Sequence, residues 1–303
     1  MQNKIIDIHS ITELHEFYGY GKPKHPLISV IDLNKINRSH SLKYDAETSY
    51  RLGFYAVFCK KYKGNLKYGQ SYYDFNEGSL IFLAPDQLVS GNSEAEVDEG
   101  WALFFHPDLL NTSFLGRKIN EYTFFHYDAN EALNVSEEEK AVLRDCIKNI
   151  EREYSQNIDN HTHSLIQSNI ELLLNYCERF YGRQFITRVK STKDIVQRFE
   201  RALKLYFQQE TLIEKGIPDV KYFAAELCLS PNYLSDLLKR NTGKTTQEYI
   251  HSQIIEKAKM FLWSSDKSIS EIAYALGFEH PSHFNKIFKG KLGVSPKEFR
   301  LQN

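Results

Sequence analysis

The stretch FAAELCLSPNYL (223–234), followed by Leu238-Lys239 and Gly243, has a second copy downstream in IAYALGF (272–278), Phe284, Phe288-Lys289 and Gly293. The offset is 49 residues up to the turn (Ala224 to Ala273) and 50 after it (Leu234 to Phe284, Gly243 to Gly293). The second copy has therefore gained one residue in its turn. An internal repeat decides architecture before any other signal. Here each copy reads as a helix-turn-helix, the first over 219–243 and the second over 268–293.

The local chemistry supports that reading. Asp219 is placed to cap a helix whose Phe223, Ala224 and Leu227 share one inward face. Ser230-Pro231 opens the next helix, with a capping hydroxyl and then a ring of preset φ. Leu234, Leu237 and Leu238 turn inward, which leaves Asn232, Tyr233, Ser235, Asp236, Lys239 and Arg240 outward. Gly243 suits a left-handed C-terminal cap. In the second copy Ser268 and Glu271 form a capping box, and Ser295-Pro296-Lys297-Glu298 repeats that signal. Small Ala224 and Ala273 allow close helix approach. Across the second recognition helix, Ser282, Asn285 and Lys286 project together while Phe284 and Phe288 anchor it. His280, His283 and Lys289 complete its polar surface. Lys239 and Lys289 each follow a buried anchor and suit phosphate, whereas Asn285 and Lys286 suit base edges.

The run SISEIAYALGFEHPSHFNKIFKGKLGVSPKEFR (268–300) resembles the AraC/XylS family of bacterial transcription regulators, and the resemblance covers roughly residues 193–302. The resemblance implies an all-α DNA-binding domain (193–303) of two helix-turn-helix units. A long helix from Gln247 to Trp263 would join them, with its recognition helices in successive major-groove segments. It also implies double-stranded promoter DNA and RNA polymerase as partners; activator is the expected mode, though the sequence does not distinguish activator from repressor. Two positions depart from the pattern. Asp236 stands where a donor is common, and Gln253-Ile254 lacks the basic residue common there.

Charge agrees. From Lys190 to Asn303 there are 18 Lys/Arg against 13 Asp/Glu, a surplus of five in a chain whose net charge is −1. The four cysteines, Cys59, Cys146, Cys177 and Cys228, are scattered without a CxxC pair and read as reduced thiols of a cytoplasmic protein. The N-terminus lacks an apolar signal segment, and no apolar run reaches membrane-spanning length.

The fold class expected is α+β. Short β-rich runs at Leu27–Ile31, Phe54–Cys59, Ser79–Leu83 and Trp101–Phe105 punctuate the first hundred residues. Turn signals at Lys63-Gly64-Asn65, Asn76-Glu77-Gly78 and Gly91-Asn92-Ser93 lie between several of them. They favour a small antiparallel sandwich or barrel. GSLIFLAP (78–85) resembles a cupin-type barrel segment, which implies a cupin-like sensory domain over 1–134 with flanking helices. No histidine stands in Lys67 to Phe75, where the cupin metal pair belongs, so neither metal nor other cofactor is expected. His161-Thr162-His163 has ligand spacing but reads as surface loop, and His106 and His126 read as strand ends. The aromatic run Tyr68 to Phe75 reads as core or pocket wall, and the ligand residues of any small-molecule effector are not legible.

Residues 135–182 read as a helical pair. Ser136 to Glu139 is a capping box, then come Leu143, Ile147, Ile150 and Tyr154, and a second helix carries Ile166, Ile170, Leu173, Cys177 and Phe180. Leu165, Leu172 and Tyr176 widen the second stripe beyond what one pair can cover, which favours a homodimer. A linker is expected at 183–192. No nucleophile elbow, phosphate loop or paired carboxylate is present, and Gly19-Tyr20-Gly21 lacks the dinucleotide setting. The reading is therefore a regulator and not an enzyme. The competing reading is a cupin-type metal enzyme with an appended DNA-binding domain.

Overall fold

The computed structural model describes all residues except 1–3, 36–47, 63–65, 69–70, 74–77, 91–96, 112, 157, 188, 209–211, 213–214 and 303. The chain divides into two units, Met1–Gln184 and Phe185–Asn303.

The first unit is α+β. Its larger sheet has five antiparallel strands in the order β10 (Leu133–Asn134), β7 (Ser79–Leu83), β4 (Tyr55–Tyr62), β9 (Val97–Phe105) and β2 (Ile28–Asp32). A second sheet joins β1 (Lys4–Ile8), β3 (Thr48–Leu52) and β8 (Leu88–Ser90), with β1 parallel to β3. A two-stranded pair, β5 (Leu66–Tyr68) and β6 (Ser71–Tyr73), is separate. Among the described residues the strands form three separate sheets and no closed barrel, so the α+β class stands without the barrel. The parallel β1–β3 pair departs from the antiparallel arrangement expected from the turn signals of the sequence. Those turn signals, at 63–65, 76–77 and 91–93, lie outside the described residues, as do the side chains from Tyr68 to Phe75.

Alternation on β4 sorts its side chains onto two faces. Phe54, which precedes the strand, and Ala56 pack with Ala102, Phe104, Leu52, Ile8 and Ile31 under helix α1 (Ile11–Tyr18). Lys60 continues that face, with Nζ 4.6 Å from the centroid of Phe58. Cys59 points to the opposite face, and its thiol is buried as are those of Cys146 and Cys177. These two come from helices α3 (Glu137–Ser155) and α4 (Thr162–Thr187), which follow the short helix α2 (Phe114–Lys118).

The capping box at Ser136 and Glu139 forms, and Leu143, Ile147, Ile150 and Tyr154 are buried. Ile166, Ile170, Leu173 and Cys177 of α4 are fully buried, whereas Leu165 and Leu172 are each 45% exposed. Arg183 makes a two-pronged contact with Glu139 (2.8 and 2.9 Å) and donates to the Asn134 carbonyl (2.6 Å). The described residues of the stretch read as linker are helical, with α4 continuing to Thr187 and α5 (Val189–Gln208) following. His126 ends a 3-10 turn rather than a strand, and His106 caps the turn after β9, its Nδ1 accepting from the Asp108 amide (3.2 Å).

Among the described residues the regular structure of the second unit is all helix: α5, α6 (Val220–Leu227), α7 (Pro231–Thr242), α8 (Thr246–Ser264), α9 (Ile269–Ala275), α10 (Pro281–Leu292) and α11 (Pro296–Gln302). A single apolar core runs from Phe199 and Phe223 through Ile254, Ala258 and Leu262 to Phe284 and Phe288. The long helix α8 therefore contributes to both halves. Its 19 residues span about 28 Å.

Candidate nucleic-acid interface

Each half builds the same device from local rules. Asp219 accepts from the Tyr222 amide (2.8 Å) and starts α6. Cys228 ends it at φ 57 and ψ 44, with Leu229 donating back to the Ala224 carbonyl (2.9 Å). Ser230 then caps α7, and Gly243 closes that helix at φ 78. In the other half the Ser268–Glu271 box starts α9, and Gly277 turns the chain at φ 84. Phe278 donates to the Ala273 carbonyl (3.0 Å), and Gly293 ends α10 at φ 77. The extra residue of the second turn is Glu279: one residue separates Cys228 from its cap Ser230, and two separate Gly277 from His280. His280 is an N-cap without a side-chain capping bond, so it precedes the second recognition helix instead of riding on it.

On α7 the core takes Leu234, Leu237 and Leu238. The opposite face carries Asn232, Ser235, Asp236 and Lys239, with Lys239 exposed and the others half-buried. Ser235 lies 3.2 Å from the Thr246 hydroxyl. Tyr233 corrects the outward reading. It is buried at 8% exposure, with its ring 5.1 Å from that of Phe185. Arg240, two turns along, is exposed but holds its guanidinium 5.7 Å from the same Phe185 ring. Phe185, 48 positions upstream of Tyr233, gives no hint in the sequence that it covers this flank.

On α10, Phe284 and Phe288 are completely buried, while Ser282, His283, Asn285, Lys286 and Lys289 are exposed together with His280. The His283 ring meets Phe278 edge-on at 5.7 Å.

Between the two recognition helices lies a charged cluster that sequence reasoning missed. Thr245 and Glu248 form a capping box at the start of α8. The Thr245 amide and hydroxyl hold the Glu248 carboxyl below its ordinary pKa, with smaller help from Lys291 and Lys239. One turn later, burial holds the His251 imidazole below its ordinary value, with Lys291 and His283 adding to that effect. The ends of α7 and α10 thus converge on the first two turns of α8. Only the tertiary fold brings these residues together.

Among the described residues no group of His, Cys, Asp and Glu is arranged to hold a metal ion. His163 instead meets the His25 ring edge-on at 5.5 Å. No helix among them is long and apolar enough to cross a membrane.

A family model described as a helix-turn-helix domain matches residues 223–302. The transcriptional activator RhaS of Salmonella schwarzengrund is 36% identical over 89 residues, covering 26% of this chain and 32% of that relative. The HTH-type transcriptional regulator YijO of Escherichia coli K12 is 29% identical over 133 residues, 43% of each chain. Among solved structures, the C-terminal domain of AraT, a response regulator from Geobacillus stearothermophilus, is 29% identical. It covers 36% of this chain and 85% of that one, with a TM-score of 0.32. The chain spans less than half the length of these curated relatives. By the repeat, the caps and this match, residues 223–302 form a helix-turn-helix domain similar to those of the two transcription regulators.

Proposed function

We propose that the protein is a sequence-specific transcription regulator that lays α7 and α10 into successive major-groove segments of one duplex. The observation that carries this reading is the single core running through α8, which holds two equivalent recognition helices on one rigid support. Asn232, Ser235, Asp236 and Lys239 form the first reading face, and Ser282, Asn285, Lys286 and Lys289 form the second, with His280 and His283 at its N-terminal end. Arg240 contributes charge from the flank. Asparagine suits adenine and lysine suits guanine or phosphate, and Asp236 can accept from a cytosine amino group.

The helical pair α3–α4 supports a homodimer through Leu165 and Leu172, which its own core leaves exposed. The β-rich unit is the place for a small-molecule effector, and RNA polymerase is the partner that an activator would engage. Among the described residues no set supports catalysis in this reading.

Selecting preferred duplexes with the full-length protein, then footprinting the winner, tests the proposal. Two protected segments about 10 base pairs apart on one face are expected. A random selected pool with no discrete footprint would overturn it.

A further inference from the structure

Lys60 carries a charge in the β-rich unit for which the fold supplies no counterpart. Its amine stands 4.6 Å from the centroid of the Phe58 ring, and among the described residues no carboxylate pairs with it. Burial depresses its pKa, and no neighbouring anion offsets that effect. Lys140, buried deeper in the same unit, has Glu137 at 2.6 Å. A desolvated cation without an anion costs stability, so its retention needs a reason other than packing. The Lys60 amine also stays within reach of a ligand. The residue is half-buried, and its nitrogen is not one of the sealed atoms that lack a partner, as Asn130 Oδ1 and Asn134 Oδ1 are.

The surface beside this amine is apolar and only partly covered. Alternation puts Phe58 and Ala56 on the Lys60 side of β4. The register then sets Leu83 beside Ala56, and Ile81 and Ala102 on either side of Phe58. Phe58, Ile81 and Leu83 are each half-buried, whereas Ala56 and Ala102 form a closed floor. Across from Lys60 itself β9 carries Gly100, where a Cβ would strike the Cys59 carbonyl oxygen, so that strand presents no side chain beside the amine. From Lys60 to Ala56 the strip runs about 13 Å, four residues at the strand rise.

A cation at one end of a half-open hydrocarbon strip selects a ligand with the opposite charge at one end and an apolar remainder. An inorganic anion would leave the strip in water, and a neutral apolar molecule would leave the ammonium unpaired. We infer that this face of the sheet binds an organic carboxylate with an extended apolar body, its carboxylate on Lys60 and its hydrocarbon along Phe58, Ile81 and Leu83. The inference rests on the reading of the β-rich unit as the place for an effector, and it names the chemical class of that effector.

Calorimetric titration of the full-length protein with octanoate, octan-1-ol and octylamine, each below its micelle-forming concentration, tests the site. Saturable octanoate binding is expected, with octanol weaker by about tenfold or more and octylamine weaker still. Lys60→Met keeps the apolar strip and removes the charge. It should bring octanoate down to the level of octanol and leave octanol unchanged, while Lys60→Arg should retain the preference for octanoate. If Lys60→Met does not fold, the ratio of octanoate to octanol affinity in the parent protein decides. Absence of saturable octanoate binding would overturn the inference, as would equal affinity for octanoate and octanol. Undiminished octanoate binding by Lys60→Met would also overturn it, by placing the ligand elsewhere. None of these results touches the DNA-binding reading, because duplex selection is carried out without any carboxylate ligand.

Discussion

Cys228 and Gly277 occupy the same left-handed turn, 49 residues apart, at φ 57 and φ 84. Each ends the first helix of its unit, and each is followed by the same backward bond, from Leu229 to Ala224 and from Phe278 to Ala273. Their surroundings differ. Cys228 is exposed, whereas a Cβ at Gly277 would lie 2.8 Å from the Leu212 carbonyl oxygen and 3.0 Å from Gly216.

Substitution at these two sites should consequently have opposite signs. Gly277→Ala adds left-handed strain and a backbone clash, and should cost about 2 kcal/mol or more. Cys228→Gly removes the strain of a side chain in that region and should be neutral or stabilising, by up to about 1 kcal/mol. Urea denaturation of both variants measures this. Equal losses at the two positions would contradict the account.

Tyr233 is expected to matter for stability and not for base choice. Its burial against Phe185 predicts that Tyr233→Ala destabilises the C-terminal unit by about 3 kcal/mol, while Tyr233→Phe is tolerated. Duplex selection with Tyr233→Phe should return the parental consensus. A changed consensus from this variant would put the hydroxyl in the groove.

The two lysines near the ends of α7 and α10 should behave as phosphate contacts. Lys239→Ala and Lys289→Ala are each expected to weaken binding to all sequences and flatten the salt dependence by about one unit of slope. Asn285→Ala should instead relax the consensus at one or two positions, at roughly 1–3 kcal/mol of lost discrimination. Salt titrations alongside site selection separate the two behaviours, and an unchanged slope for both lysines would remove them from the interface.

Lys60 gives a pH dependence that DNA plays no part in. Burial on the Phe58 face pushes its pKa down to about 8, from an ordinary value near 10.4. Between those values the unfolded chain binds more protons than the folded one, so stability rises with pH there. Below pH 8 the full penalty applies. Lys60→Met should therefore stabilise the protein at pH 7 by about 2 kcal/mol, a figure held below the full shift because Lys60 as a residue is only half-buried. The gain should fade as pH approaches 10.5. Thermal melts at pH 7 and pH 10 compare the two proteins, and an equal gain at both values would discount the buried charge.

Where helix starts and stops are concerned, the sequence by itself determined a great deal. Caps at Asp219, Ser230, Ser268 and Ser136, left-handed glycines at Gly243 and Gly293, and the buried stripe Ile254, Ala258 and Leu262 were legible because each depends on neighbours within about four residues. The repeat made the architecture of residues 193–303 readable for the same reason, applied twice. Only the tertiary structure decided the rest. Phe185 covers Tyr233 across 48 residues of chain, β1 joins β3 in parallel, and the capping turn of α8 meets Lys239 and Lys291. The periodicity of a single helix or strand tells which face is apolar, but carries no record of which distant residue will arrive to cover it.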